Sequence, residues 1–228
     1  MTAWLGPDEW QAVALSLRVA VVATLISLPF GVAAAYALAR WEFPGKQLFN
    51  GLIHLPLVLP PVVTGYLLLL AFGPQGPAGR FLEAAFGVSL AFRWTGAVLA
   101  AAIMAFPLMV RAIRLALETV DPKLESAAAT LGAGPRQIFL TVTLPLLLPG
   151  LIAGAILAFA KAMGEFGATI TFVSNIPGET QTLPSAVYAF LQVPGGEAAA
   201  MRLVIISVIV SMGALLASEM LARRVARK

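Results

Sequence analysis

The chain has no cysteine, a single histidine and very little charge. Without thiols there is no disulfide framework, no thiolate metal site and no cysteine nucleophile. Charged residues make up 11% of the 228 positions, against about 25% in an ordinary soluble domain. Hydrophobic residues make up 60%, more apolar surface than a soluble fold of this length can hide. No Lys or Arg precedes the first apolar run between Met1 and Gln11, so the basic segment of a secretory signal is missing. The first helix is therefore expected to stay in the mature protein. No charged or Ser-rich linker divides the chain, and its 20 Gly and 16 Pro fall among apolar runs. The expectation is one transmembrane domain over residues 1–228. A formal charge of +4 and a pI near 9.9 bring nucleic acid to mind. The basic residues, however, cluster at the ends of apolar runs rather than in one stripe, and membrane topology accounts for them better. No nucleic-acid partner is expected.

What is present in quantity is long apolar sequence. A helix needs about 20 apolar residues to cross a bilayer core of about 30 Å. Five stretches free of Asp, Glu, Lys and Arg come near that length: Val19 to Ala39, Gln47 to Gly79 with its apolar part Leu48 to Phe72, Trp94 to Val110, Gln137 to Ala160, and Leu203 to Ser218. The fold class is all-α, a polytopic membrane bundle of about five transmembrane helices.

Lys and Arg near the membrane mark the cytoplasmic side. Arg40, Lys46, Arg111, Arg114, Lys123, Arg136, Arg223, Arg224, Arg227 and Lys228 fall on one side of the five crossings. Arg18, Arg80, Arg93, Lys161 and Arg202 share the other with Asp8, Glu9, Glu83, Glu165, Glu179 and Glu197. This gives an external N-terminus and a cytoplasmic C-terminus. The apolar piece Leu183 to Val193 is too short for a sixth crossing and is broken up by Pro177, Pro184, Pro194 and Gly195-Gly196. It is expected as a re-entrant or surface helix on the external side.

The third cytoplasmic loop reads as a short capped helix. Asp121 is placed to accept from free backbone N–H groups, Pro122 suits the first helical position, and Gly132-Ala133-Gly134-Pro135 ends the helix. Three successive alanines make it thin enough for another protein's cleft to grip. A plain connector between two spans is the competing reading.

The run from Glu125 to Pro145 resembles the cytoplasmic loop shared by permeases of binding-protein-dependent ABC importers. That pattern is Glu-Ala-Ala, three residues, Gly, nine residues, Ile-x-Leu-Pro. Gly132 matches, Val142 stands for the Ile, and Leu144-Pro145 closes the pattern. In register with Gly132, Ser126-Ala127-Ala128 occupies the Glu-Ala-Ala positions and Glu125 lies one place early. The resemblance implies a coupling helix of a type I importer permease, comprising Glu125, Ser126, Ala127, Ala128 and Gly132 and followed by Leu144 and Pro145. It would dock into a groove of an ATPase subunit.

A second signature, Ala160-Lys161-Ala162-Met163-Gly164-Glu165-Phe166-Gly167-Ala168-Thr169-Ile170 followed by Asn175-Ile176-Pro177-Gly178-Glu179-Thr180, is similar to oxyanion importers and most of all to molybdate permeases. Sulfate and thiosulfate permeases share much of the Glu-Phe-Gly-Ala pattern and form the near alternative. The resemblance extends to Arg40 to Lys46 and Leu55 to Pro61. It implies a bacterial inner-membrane location and a homodimer with two ATP-binding cassette subunits and a molybdate-binding protein outside. Molybdate, or tungstate, would be the solute. ATP and Mg would be used by the partner, with no cofactor on this chain.

Several residues are candidates for a gate or translocation path. Lys161 and Glu165 lie four apart and can meet on one helix face. They form either a structural ion pair or a source of positive potential where an anion enters. Gly164 and Gly167 would let the helix end loosen there. Phe166 completes the motif. Thr64, Gly65, Thr169, Thr171, Ser174 and Asn175 offer small groups that suit either a path lining or helix packing. Pro56, Pro60 and Pro61 delete backbone donors and predict a kinked second span. The lone His54 is expected to be hydrogen-bonded to a neighbouring helix rather than catalytic. No metal ligand set is apparent.

The chain has no engine of its own, because Gly45-Lys46 lacks the first Gly and the hydroxyl residue of a phosphate loop. A membrane-embedded enzyme would need convergent groups at one depth, yet Glu165 and Glu179 lie externally while His54 lies towards the cytoplasm. A scaffold would explain the spans and leave the Gly132 to Pro145 pattern without a purpose.

Overall fold

The computed structural model describes residues 4–226, and every regular element among them is helical. Arg227 and Lys228 of the expected basic tail lie outside the described residues. In chain order the elements are α1 (Pro7–Arg40), α2 (Lys46–Val58), α3 (Pro61–Phe72), α4 (Pro77–Phe86), α5 (Trp94–Thr119), α6 (Pro122–Thr130) and α7 (Pro135–Ile138). A π-helical turn (Phe139–Thr143) then leads into α8 (Leu144–Met163), followed by α9 (Gly167–Val173), α10 (Leu183–Leu191) and α11 (Glu197–Ala226). The stretches α1, α5, Pro135–Met163 and the first part of α11 are each long and apolar enough to cross a membrane, and the bent pair α2–α3 meets the same test when its two helices are taken as one span, for a total of up to five.

Helix α1 begins well ahead of Val19, where the charge-free reading starts it. Pro7 opens the helix, and Asp8 and Glu9 sit in the first turn, where free N–H groups favour carboxylates. Arg18 does not interrupt it, since arginine is itself a good helix former, and its guanidinium lies over the Trp94 ring, 3.8 Å from the centroid. Helix α5 likewise runs on past Arg111 and Arg114 to Thr119, with Arg114 paired to Glu118 one turn later at 2.8 Å.

Pairs of facing residues fix the helix directions. Arg18 meets Trp94, Gly31 faces Met109, and Arg40 reaches Val120 O at 3.1 Å, so α1 and α5 run in parallel. The α2–α3 segment must therefore carry the chain back between them. Gly150 faces Ala116 and Gly154 faces Ile113, so α8 runs against α5. Arg202 at the start of α11 bonds Glu9 near the start of α1 at 2.9 Å. Helix α10 is nine residues long, about 14 Å at helical rise, far short of a bilayer core. The Leu183 N–H donates to Ser16 Oγ at 2.6 Å, which holds α10 beside the first half of α1. The expectation of a short, non-crossing helix there agrees with this geometry.

The second span is broken rather than kinked. Leu59 N–H still donates to Leu55 O at 3.0 Å, but Pro60 and Pro61 have no N–H to continue the ladder. The residue before each proline is pushed into extended backbone. Leu59 and Pro60 have ψ of 142° and 134°, and α3 leaves α2 at a bend of 113°.

Small residues take up much of the interior between α1 and α5: Ala97, Ala100 and Ala101 of α5 share a buried cluster with Ala20 and Ala23 of α1, and Ala105 shares a second with Ala35. Close backbone approach is how helices associate where lipid offers no hydrophobic driving force.

Candidate functional site

The sequence-predicted residues separate into two groups at opposite ends of the bundle. Glu125, Ser126, Ala127, Ala128 and Gly132 lie on and just after α6, with Leu144 and Pro145 at the head of α8. Lys161, Gly164, Glu165, Phe166, Gly167 and Thr169 lie where α8 gives way to α9, and Thr64 lies on α3.

Helix α6 forms as its local signals dictate. Asp121 Oδ1 accepts from Lys123 N at 2.9 Å, Pro122 occupies the first helical position, and Gly132 has φ +85°, the left-handed backbone that suits glycine. None of its residues is buried. Leu124 and the following Leu131 are exposed, Leu131 at 88%, so the loop presents apolar side chains away from the bundle. Glu125 faces the other way. Its Oε1 accepts from Thr143 Oγ1 at 2.8 Å and from Arg40 Nη2 at 3.4 Å. Ser126 Oγ turns back to Pro122 O at 3.1 Å, Ala127 is exposed and Ala128 half-buried.

At the other end, α8 stops at Met163 and Glu165 caps the next helix. Glu165 is buried; its Oε1 accepts from Ala168 N at 3.0 Å, and its Oε2 pairs with Lys161 Nζ at 2.7 Å. The structural ion pair is thus formed, with the Lys161 side chain still 30% exposed. Thr169 Oγ1 donates back to Phe166 O at 2.9 Å, and Thr171 Oγ1 to Gly167 O at 2.8 Å. Phe166 lies 5.4 Å from Tyr188, ring centroid to centroid. Gly164 and Phe166 border a groove of 540 Å³ between α8, α10 and α11. Ser207 and Ser211 also line it, and no charged side chain among the described residues does.

The structure adds a juxtaposition that sequence reasoning does not reach. Helix α9 crosses α3 so closely that a Cβ on Gly65 would come 2.5 Å from Ala168 O, and one on Gly167 would come 2.7 Å from Pro61 Cβ. The break between α8 and α9 therefore rests on the break between α2 and α3. Pro61 joins the site for this reason, and Gly65, a path candidate from the sequence, gains a packing role there. Thr64 beside them is buried, and its hydroxyl has no partner among the described residues.

His54 departs from expectation in one respect. Its Nδ1 lies 2.9 Å from Asn50 O, within its own helix rather than on a neighbour. Because a carbonyl only accepts, Nδ1 carries the hydrogen. No group of three or more potential metal ligands occurs among the described residues.

Comparison with known proteins agrees with this architecture. A family model described as a binding-protein-dependent transport system inner membrane component matches residues 27–227. The chain is 64% identical over 219 residues to the molybdenum transport system permease protein ModB of Escherichia coli (strain K12), covering 96% of each. Identity to the protein of the same description in Haemophilus influenzae is 57% over 220 residues, again 96% of each. The sulfate transport system permease protein CysT of Salmonella typhimurium is more distant, at 38% over 187 residues, 82% of this chain and 67% of that one. Among solved structures, a bacterial ABC transporter involved in import of the acidic polysaccharide alginate matches with a TM-score of 0.75. It shares 16% identity, and the match covers 96% of this chain and 80% of that one, a likeness of fold.

Proposed function

Because the chain belongs to the family of binding-protein-dependent transport system inner membrane components, we propose that it forms the membrane path of an importer for molybdate. Tungstate, of similar size and charge, is the expected second solute. The chain is a permease component of an ABC transporter. Its working assembly is read as two copies of this chain, two ATP-binding cassette subunits and a solute-binding protein, set in the bacterial inner membrane with the N-terminus outside. ATP and Mg belong to the cassette subunits.

The observation that carries the substrate is the 64% identity, across nearly the full length of both chains, to a permease described as transporting molybdenum. The sulfate reading has the weaker support of a 38% relative. The exposed α6 and Leu131 give the ATPase a surface to grip, and the paired helix breaks give the membrane path a place to yield. The uncharged lining beside Gly164 fits a conduit, since a fixed cation deep in the path would hold a dianion rather than release it.

The test is reconstitution of the chain in liposomes with its cassette subunit and binding protein. ATP-dependent uptake of molybdate, competed by tungstate and not by sulfate, is the expected result. Uptake of sulfate alone transfers the chain to the sulfate group, and ATP-independent uptake removes it from this class.

A further inference from the structure

We infer that Glu125 is an internal linchpin: the carboxylate joins the coupling helix α6 to the ends of α1 and α8 through Arg40 and Thr143, and does not itself grip the ATPase. The inference rests on the importer reading and assigns the three residues positioning roles in it.

Helix α6 is connected to the rest of the molecule by very little. Its remaining side-chain hydrogen bonds are local: Asp121 to Lys123 N, Ser126 to Pro122 O, and Thr130 to Ala127 O. Among the described residues, Glu125 makes the only side-chain hydrogen bonds from α6 to other helices. Displacement of α6 therefore reaches the spans by two routes, the backbone at each end and this carboxylate.

Both partners are placed to receive it. Thr143 is 1% exposed and closes the π-helical turn at the root of α8. A π-turn inserts one residue into the ladder and re-aims those that follow, and here Thr143 Oγ1 comes to lie 2.8 Å from Glu125 Oε1. Arg40 is the last residue of α1. Its Nη2 bonds both Glu125 Oε1 and Val120 O, the latter at the C-cap of α5, while its Nε is buried with no partner among the described residues. One guanidinium nitrogen thus ties α1, α5 and α6 together. Tyr36 packs edge-on against Phe139 of the π-turn, which keeps the α1 and α8 ends adjacent.

The arrangement also gives a physical reason for the register of the loop. With the carboxylate one position before the slot that Ser126 fills, it points into the bundle while Ser126 and Ala127 stay exposed.

The experiment compares the complete transporter in liposomes carrying wild-type chain, Thr143→Val, Thr143→Ser, Glu125→Ala and the double variant Glu125→Ala/Thr143→Val. Cassette-subunit co-purification, ATP hydrolysis and molybdate uptake are read on each. Under the inference all variants retain the cassette subunit and hydrolyse ATP. Uptake per ATP falls about tenfold in Thr143→Val and Glu125→Ala, as loss of one hydrogen bond to a charged group implies. Thr143→Ser restores coupling, and the double variant is no worse than either single one. Unchanged uptake per ATP in Thr143→Val, or loss of the cassette subunit in Glu125→Ala alone, overturns it. A wild-type assembly that takes up no oxyanion with ATP fails the importer reading and removes the inference with it. A working wild type beside an unaffected Thr143→Val fails the linchpin alone.

Discussion

Gly167 rests against Pro61, with a Cβ at the glycine meeting the proline Cβ at 2.7 Å. Two interruptions of helix, each produced locally by its own residues, are in direct contact. Motion of α9 must move α3 or open a gap between them.

Replacement of Gly65 by Val tests this contact, because the new side chain meets the Ala168 backbone rather than a yielding side-chain end. Overpacking of this kind costs about 1–3 kcal/mol. The expected outcome is a complex that still assembles with its ATPase yet loses most uptake. Gly51→Val, where nothing lies within 4 Å of the added Cβ, is the control and should transport normally.

The Lys161–Glu165 pair predicts different outcomes for two substitutions at one position. Lys161→Met leaves a carboxylate that is 1% exposed without its cation. It should shorten the thermal half-life of the purified protein, with a cost near the lower end of the 3–5 kcal/mol range for a broken buried pair, about 3 kcal/mol, since the ammonium is partly solvated. Lys161→Gln keeps a donor for Glu165 and removes the charge. Normal assembly with slower uptake is expected, and uptake at the wild-type rate would count against a role for positive potential at the mouth.

Gly132 has left-handed backbone and open space around it. Gly132→Leu forces a side chain into that conformation at about 1–2 kcal/mol and adds bulk beside the exposed face of α6. Co-purification of the cassette subunit should drop sharply while the spans remain folded, as read by helical circular dichroism. Full retention of the cassette subunit would show that the loop is not where it docks.

His54 makes its bond within α2, so His54→Ala should leave uptake within about twofold and cost no more than about 1 kcal/mol of stability. Abolished transport in a properly folded variant would return this histidine to the path.

The spans were legible in the sequence because absence of charge over about 20 residues has one main physical meaning. The bounds of α6 were legible because Asp121, Pro122 and Gly132 each act on the backbone within a turn. The charge-free stretches mark the apolar parts of the helices and not their ends, because Arg and Glu are themselves good helix formers: α1 reaches back through Arg18 to Pro7, and α5 runs on through Arg111 and Arg114 to Thr119. The prolines marked a break at Leu59 to Pro61, but its 113° depends on how α3 settles on α9. The inward turn of Glu125 was likewise hidden, since it needs a π-turn at Phe139–Thr143 that no residue there announces.

The Glu9–Arg202 bond has a consequence for how the bundle closes. Glu9 is 3% exposed and holds the Gly6 N–H as well as the guanidinium of Arg202. The two partners lie 193 positions apart in the chain, so the pair forms only when α11 packs beside α1, and it then pins the start of one helix to the start of the other.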